Sequence, residues 1–178
     1  MPILTSQLFP AGDLKILHYI DSNFTATASA VITIPAVDFA KSFVILIACQ
    51  GTTPLPNVQD STVTAELTSS TEVTFTRRGA TNQVFFQAIV VSSNSLISLQ
   101  YSEFNLNSVT SASATISAVN TSSNRVFLFS SSNVAENSMG ALCRPSIAIG
   151  AAITTITGIR SHNIGSSTIG VYIVELKP

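Results

Sequence analysis

Charged and metal-ligating residues are scarce in this sequence. Of its 178 residues only 10% are charged, two are histidine, two are cysteine and none is tryptophan. Soluble domains ordinarily carry about 25% charged residues. Lys and Arg number 8 and Asp and Glu number 9, so the sequence offers neither a basic field for nucleic acid nor an acidic tail. We therefore expect no nucleic-acid partner.

Long apolar runs are also missing. The longest uninterrupted run covers residues 43–49, whereas a membrane-spanning helix needs about 20 such residues. Residues 1–7 show neither the basic region nor the apolar stretch of a signal peptide. We expect no membrane partner and synthesis in the cytoplasm, where Cys49 and Cys143 stay reduced. Cys49 ends an apolar run and is predicted to be a small core residue.

The motifs of common enzymes are absent. The sequence contains no HExxH, CxxC, G-x-S-x-G or G-x-x-x-x-G-K-[ST] pattern, the spacings that zinc, hydrolytic and nucleotide chemistry use. His18 corresponds to Gln100 in the second half of the chain, which indicates a polar strand position, and His162 falls in a turn. We predict no catalytic, cofactor-binding or metal-ligating residues and no enzyme. A glycosidase-like pair of carboxylates from distant strands stays open.

Two further groups of side chains receive structural interpretations. Tyr19, Tyr101 and Tyr172 all lie on predicted strands, so core packing is the better account of them than a platform for glycans. Arg77 and Arg78 form a basic pair at the tip of a predicted hairpin. Solvent exposure is the ordinary outcome for such a pair.

What the sequence does contain is a series of short β-rich runs, divided by Ser, Thr, Asn, Gly and Pro, with Ser and Thr making up about a quarter of the chain. Such runs predict strands, and almost no segment shows the apolar period of a helix. Segments of this length and spacing favour an antiparallel sandwich or barrel. The predicted strands cover residues 14–21, 28–34, 43–49, 63–67, 72–77, 84–91, 96–103, 111–119, 126–130, 146–149, 153–160 and 169–176.

The second six strands repeat the first six. Leu14 and Tyr19 match Leu96 and Tyr101, an offset of 82 residues (96 minus 14). The same offset carries residues 33–38 onto 115–120 and residues 44–47 onto 126–129 without a gap. Further on the register slips, with Arg77 against Arg160 and residues 86–90 against 171–175. Duplication is the better explanation than chance similarity between Ser/Thr-rich strands.

The repeat predicts the organisation of the chain. Residues 14–93 form a first β module, residues 94–178 form a second, and residues 1–13 precede both as an N-terminal arm that threads onto a neighbour. The junction at residues 92–95 is only a few residues long, which favours close packing over a free tether. We therefore expect an all-β protein of two tandem, similar antiparallel sandwich-like or barrel-like units packed closely together.

Part of the first module resembles a known class of protein. Residues 33–44 (TIPAVDFAKSFV), residues 65–77 (AELTSSTEVTFTR) and residues 86–90 (FQAIV) follow one another in order. This series resembles small β-rich structural proteins of tailed bacteriophages. The resemblance covers about residues 14–92, whereas the second module lacks the Leu-Thr-Ser-Ser-Thr run. It implies a virion β module and no catalytic residues.

These observations together predict a non-enzymatic structural component of a bacteriophage virion, made in the host cytoplasm. Low charge leaves sheet edges and faces poorly insulated, so we expect them to be covered by other protein. Capsid decoration is the first hypothesis, as a homo-oligomer for which a trimer is one candidate, bound to major capsid or tail proteins. A tail or fibre-tip module that binds host glycans is the second, and a bacterial fimbrial or adhesin subunit is the third.

Overall fold

The computed structural model describes residues 14–51, 62–123, 125–134, 143–163 and 165–177. The arm predicted for residues 1–13 lies outside them. Within these ranges no helix is long and apolar enough to cross a membrane. Two 3₁₀ turns are present, at Phe39–Lys41 and Thr121–Ser123. The twelve strands of the described chain are β1 (Leu14–Phe24), β2 (Ser29–Thr33), β3 (Ser42–Gly51), β4 (Thr64–Ser69), β5 (Glu72–Thr76), β6 (Val84–Ser93), β7 (Leu96–Asn107), β8 (Ser111–Val119), β9 (Val126–Val134), β10 (Cys143–Ile147), β11 (Ile153–Arg160) and β12 (Ser166–Leu176).

The strands form four three-stranded antiparallel sheets. Sheet I has the order β1-β6-β3 and sheet II the order β2-β5-β4. Sheets III and IV repeat this pattern as β7-β12-β9 and β8-β11-β10. We call β1–β6 the first unit and β7–β12 the second unit. Each unit is a small sandwich with jelly-roll connectivity, and the all-β prediction of two similar packed units is confirmed.

The core of the first unit lies between sheets I and II. Strand β6 shows why, because Val84, Phe86, Ala88 and Val90 are at most 1% exposed while the alternating side chains point outward. Aromatic rings fill the centre: the Phe75 and Phe86 centroids are 4.2 Å apart. Burial of these apolar side chains is the main stabilising term of the unit.

The second unit differs in that its central strand is buried on both faces. Ile169, Val171 and Ile173 on β12 face the second unit's own core. Tyr172 and Val174 face the opposite way and belong to the core of the first unit. Sheet III is therefore covered on one side by its own sandwich and on the other side by the first unit.

Arg77 is 1% exposed, so the prediction of solvent exposure is wrong for this residue. Its Nε donates to the Thr27 carbonyl at 2.8 Å and its Nη1 to the Asn82 carbonyl at 2.6 Å. The guanidinium also lies 4.8 Å from the centroid of the Phe24 ring. The side chain turns inward because two loops present carbonyls at this end of the sandwich that no strand satisfies.

Arg160 makes the same contacts in the second unit. It is 6% exposed, and its Nε donates to the Val109 carbonyl at 2.8 Å. Its Nη2 donates to the Gly165 carbonyl at 3.0 Å. Val109 follows Thr27 by the repeat offset of 82 residues (109 minus 27), so the two arginines tie equivalent loops to equivalent strand ends. This shared contact shows at atomic level that the two units are copies of one fold.

The turn between the second and third strands is also shared. Asp38 Oδ1 accepts from the Ala40 N–H at 3.1 Å, and Asn120 Oδ1 accepts from the Ser122 N–H at 3.1 Å. Asp38 also makes an ion pair with Lys41 at 3.2 Å. These Asx caps explain why Asp and Asn stand at the same repeat position.

The ladders refine the alignment of the two repeats. Tyr19 stands opposite Ile89, and the matching Tyr101 stands opposite Tyr172. Sequence comparison instead aligns Ile89 with Val174, two residues further along. A shift of two keeps every side chain on the same face of the sheet, which is why the alternation gives no warning of it. The strand pairings therefore define which positions of the two units are equivalent.

All twelve predicted strands are found, with one clear displacement. Strand β10 runs from Cys143 to Ile147, whereas the sequence predicts residues 146–149. The strand contains Pro145, which the sequence interpretation places outside it. Because β10 is the edge strand of sheet IV, a proline without an N–H is tolerated there.

Replacing Arg77 or Arg160 by methionine is expected to destabilise the fold by about 3 kcal/mol or more, because loop carbonyls lose charged donors that contribute about 1.5–3 kcal/mol each. The measurement is the free energy of unfolding in urea. Arg144→Met is the matched control, since Arg144 is exposed and its loss should cost less than about 0.5 kcal/mol. Equal stabilities of all three variants would contradict a structural role for the buried arginines.

Candidate functional site

The residues weighed as catalytic candidates in the sequence lie apart. His18 is half-buried in β1, and His162 is exposed with its Nδ1 3.2 Å from Ser161 Oγ. Among the described residues, no group of three or more His, Cys, Asp and Glu side chains could hold a metal ion. The structure therefore gathers neither histidine into a site.

Cys49 lies half-buried on β3 and packs against the core of the first unit. Burial raises the pKa of its thiol to about 12, although the positive charge of Arg77 opposes the rise. A thiol that stays protonated at neutral pH is a poor nucleophile, so Cys49 has the packing role that its sequence context predicts. The side chain of Cys143 lies outside the described residues.

The most elaborate polar arrangement is the interface between the two units. There the edge formed by β3 and β4 of the first unit stands on the outer face of sheet III. Phe43 stacks on Phe129 with centroids 5.1 Å apart, and its ring centroid is 6.0 Å from that of Tyr172. Tyr101 packs beside Tyr172 at 4.9 Å. Aromatic rings therefore fill the apolar centre of the interface.

Hydroxyl groups of the second unit cap the exposed edge of β4. This strand pairs only with β5, so alternate N–H groups point away from the sheet. The N–H of Leu67 donates to Tyr172 Oη at 2.5 Å, and the N–H of Ala65 donates to Ser131 Oγ at 3.0 Å. The sheet edge is thus closed by side chains rather than by another strand.

A row of amides and hydroxyls holds the end of the interface. Arg78 donates to Thr168 Oγ1 at 2.7 Å and to Asn133 Oδ1 at 3.2 Å. Asn133 is 2% exposed, and its Nδ2 donates to Thr64 Oγ1 at 3.2 Å. Arg78 is exposed as the sequence predicts, but it binds the second unit instead of facing only solvent.

Clefts of about 160, 250 and 270 Å³ lie between the units, and all three are smaller than the roughly 300–1,000 Å³ of ordinary small-molecule sites. The smallest is lined by Glu66, Tyr101 and Tyr172. Burial, and to a lesser degree the nearby Glu103 carboxylate, raise the pKa of Glu66 in this cleft. Burial also raises the pKa values of Tyr101 and Tyr172, so both phenols stay protonated. The cleft therefore holds a packed boundary with one carboxylate in an unfavourable position.

The outer face of sheet I is covered at one end, where Phe43 and Val91 are buried, and is open elsewhere among the described residues. Tyr19 is 58% exposed, so the prediction of core packing is wrong for it, whereas Tyr101 at the matching position is packed. The difference arises because the first unit packs over Tyr101, whereas Tyr19 has no comparable cover among the described residues. Half of the exposed large apolar side chains in the described chain lie on sheet I: Ile16, Leu17, Tyr19, Ile47 and Phe85. We call these five side chains the open patch.

The outer surfaces of sheets II and IV have a different character. Strand β8 exposes hydroxyl side chains at alternate positions, from Ser111 through Ser113 and Thr115 to Ser117. Ser113 Oγ lies 2.9 Å from Thr157 Oγ1 on the neighbouring strand. Uncharged hydroxyl ladders therefore take the place that charged side chains occupy on most soluble sheets.

Comparisons with known proteins give no assignment. No family model matches the chain, no curated protein is similar to it, and no solved structure matches it. The unit interface and the open patch are thus the features from which its function is inferred. Sequence reasoning predicts that the two units pack closely but gives neither the residues of their interface nor the open patch, and the one signal for these is that Tyr19 and Tyr101 match in two copies.

Tyr172→Phe is expected to lower the free energy of unfolding by about 1–3 kcal/mol, because the buried N–H of Leu67 loses its acceptor while the ring is kept. Denaturant unfolding checks this. Tyr19→Phe is the matched control, since the exposed Tyr19 ring should tolerate the change within about 0.5 kcal/mol. A Tyr172→Phe protein as stable as the control would show that the hydroxyl does not close the edge.

Glu66→Gln is expected to stabilise the protein at neutral pH. The pKa of Glu66 is raised above its ordinary value of 4.5, so the folded chain binds this proton more tightly than the unfolded chain does. Stability therefore falls as pH rises from about 4.5 to the raised pKa, and the glutamine variant escapes this loss.

Thermal unfolding of both proteins across pH 4 to pH 8 measures the effect, since 4.5 is the ordinary pKa that begins the window. The variant's advantage should shrink toward zero at the acid end. Glu72→Gln, at an exposed position on β5, is the control. An advantage that does not change with pH would assign the stabilisation to something other than the carboxylate charge.

Proposed function

We propose that this protein is a non-enzymatic structural component of a bacteriophage virion, an oligomeric decoration protein that binds the capsid surface. The observation that carries the proposal is the open patch, a group of exposed apolar side chains on sheet I, whereas β8 of sheet IV exposes hydroxyl groups. Exposed apolar surface marks sites of protein contact, which supports the oligomeric part of the proposal. The virion assignment itself comes from the sequence resemblance.

The surroundings of the polar residues support a binding role over a catalytic one. Arg77 and Arg160 are occupied by loop carbonyls, and Arg78 is occupied by the second unit. The hydroxyl of Tyr172 accepts from the backbone of β4. These contacts hold the molecule rigid, and a rigid body with a preformed face is suited to repeated binding on a surface.

The segments that carry the resemblance have structural roles. Val37 N–H donates to the Ser70 carbonyl at 2.8 Å, and Ile34 N–H donates to the Thr71 carbonyl at 2.8 Å. Backbone hydrogen bonds thus join residues 33–44 to residues 65–77 within the first unit. The resemblance supports a shared fold, and jelly-roll sandwiches serve in viral shells and in lectins alike.

A host-glycan receptor at a tail or fibre tip is the second candidate, and the exposure of Tyr19 favours it. Asp21 and Gln87 stand side by side in the ladder next to this ring, and an exposed aromatic beside polar groups suits a sugar. The aliphatic members of the open patch, Ile16, Leu17 and Ile47, suit a protein surface better. Capsid binding is therefore the first choice.

Co-sedimentation separates the two candidates. The purified protein is mixed with capsids assembled without it, with isolated tails, and with host cells. We expect the protein to pellet with capsids. A Tyr19→Asp/Phe85→Asp variant should fail to form the oligomer and should therefore pellet less with capsids. Val31→Asp is the control, because Val31 is 56% exposed on sheet II. Pelleting with cells alone would replace decoration by receptor binding, and metal-dependent or hydrolytic turnover would overturn the non-enzymatic proposal.

A further inference from the structure

We infer that the outer face of sheet I binds the β9/β10 edge of another copy of this chain, so that copies associate head to tail. The inference deepens the proposed function, because it specifies how a decoration protein would form its oligomer.

The inference starts from an asymmetry that tandem duplication creates. In the chain, the β3/β4 edge of the first unit covers the outer face of sheet III. The equivalent face of the first unit, on sheet I, carries the open patch. The equivalent edge of the second unit is formed by β9 and β10, which lie close together as β3 and β4 do. Among the described residues, the part of the sheet I face around the open patch and the β9/β10 edge therefore have no covering neighbour, and they are of the kinds that already fit each other within the chain; we call them the unused face and the unused edge.

The polar contacts of the interface between the two units have no counterpart on the unused edge or on the unused face. Ala65 donates its N–H to Ser131 within the chain. By the ladders, Pro145 takes the place of Ala65, because each pairs with the residue two positions before the matching arginine. Ala48 takes the place of Ser131. The unused edge lacks this N–H donor, and the unused face lacks its acceptor.

A second contact changes in the same way. Arg78 donates to Thr168 within the chain. Ser161 follows Arg160 as Arg78 follows Arg77, so the long cation is absent from the unused edge. On the unused face Phe85 stands opposite Asn23, where Thr168 stands opposite Asn105 in the second unit. The Phe85 ring thus stands where the second unit has the Thr168 hydroxyl, which accepts from Arg78. Because the donor and the acceptor are both absent, the two unused surfaces remain complementary.

The charges favour the pairing as well. Within the chain Glu66 lies near Glu103, and the two carboxylates repel each other. On the unused surfaces Ser146 replaces Glu66 and Asp21 replaces Glu103. The edge also carries the exposed Arg144, so the like-charge pair of the inner interface becomes an attraction between opposite charges.

The geometry of such a contact limits the assemblies it can form. A face that binds a different surface on the next copy is a heterologous interface, which closes into a ring or continues as a filament. Each added chain covers one open patch and one β10 edge. Covering the edge also removes a free strand edge from solvent, which sheet proteins otherwise protect by other means.

Complementation between two variants tests the inference. The face variant is Tyr19→Asp/Phe85→Asp, and the edge variant is Arg144→Glu/Ser146→Glu, all at exposed or half-exposed positions. Mass is measured by light scattering across a concentration series, with circular dichroism as the check of folding. We expect the wild type to form a multiple of 18.7 kDa and each variant alone to stay at 18.7 kDa. A mixture of the two should form a dimer of twice 18.7 kDa and nothing larger.

The contrary outcomes are distinct. An edge variant that still self-associates would mean that open patches meet each other, and a monomeric wild type would exclude self-association; either result overturns the inference. The control Val31→Asp should assemble as the wild type does. An assembled wild type that ignores capsids would contradict the capsid role alone, whereas a monomer that binds capsids would contradict this inference and the oligomeric part of the proposed function but not the capsid role.

Discussion

The hydroxyl of Tyr172 lies at the interface that joins the two units of this protein. It accepts the N–H of Leu67 from the edge of β4, and its ring packs beside Phe43 of β3. Because it projects from the central strand of sheet III, that strand must be buried on both faces, which is why it carries a nearly continuous apolar run. The apolar packing and the satisfied sheet edge are thus parts of one contact.

Duplication explains the fold economically, and the differences between the copies show what each copy meets. The arginines that tie loops to strand ends are retained, as the paired environments of Arg77 and Arg160 show. Core side chains differ in size, since Phe75 of the first unit corresponds by the ladders to Gly158 of the second. The outer faces differ in polarity, since Phe85 stands where the second unit has Thr168, which contacts its internal neighbour.

Much of the fold follows from local pattern, and the surfaces do not. Alternation and turn residues predict all twelve strands and the repeat, because strand burial is read from neighbours two residues apart. The burial of Arg77 depends on the carbonyl of Thr27, 50 residues away in the chain. Tyr19 and Tyr101 have similar local sequences, and only tandem order decides which one is covered. Such outcomes depend on long-range packing that no local window contains.

The interface between the two units gives a physical reason for the low content of charged residues. Its buried polar groups are hydroxyls and amides such as Ser131, Thr64 and Asn133, each paired with a partner. Burying a hydrogen-bonded hydroxyl costs little free energy. Burying a charge costs on the order of several kcal/mol, because the charge loses its hydration. The carboxylate of Glu66 at this interface has a raised pKa chiefly for that reason. Ser and Thr side chains with hydrogen-bond partners therefore fit a buried interface between units at a lower cost than charged side chains would.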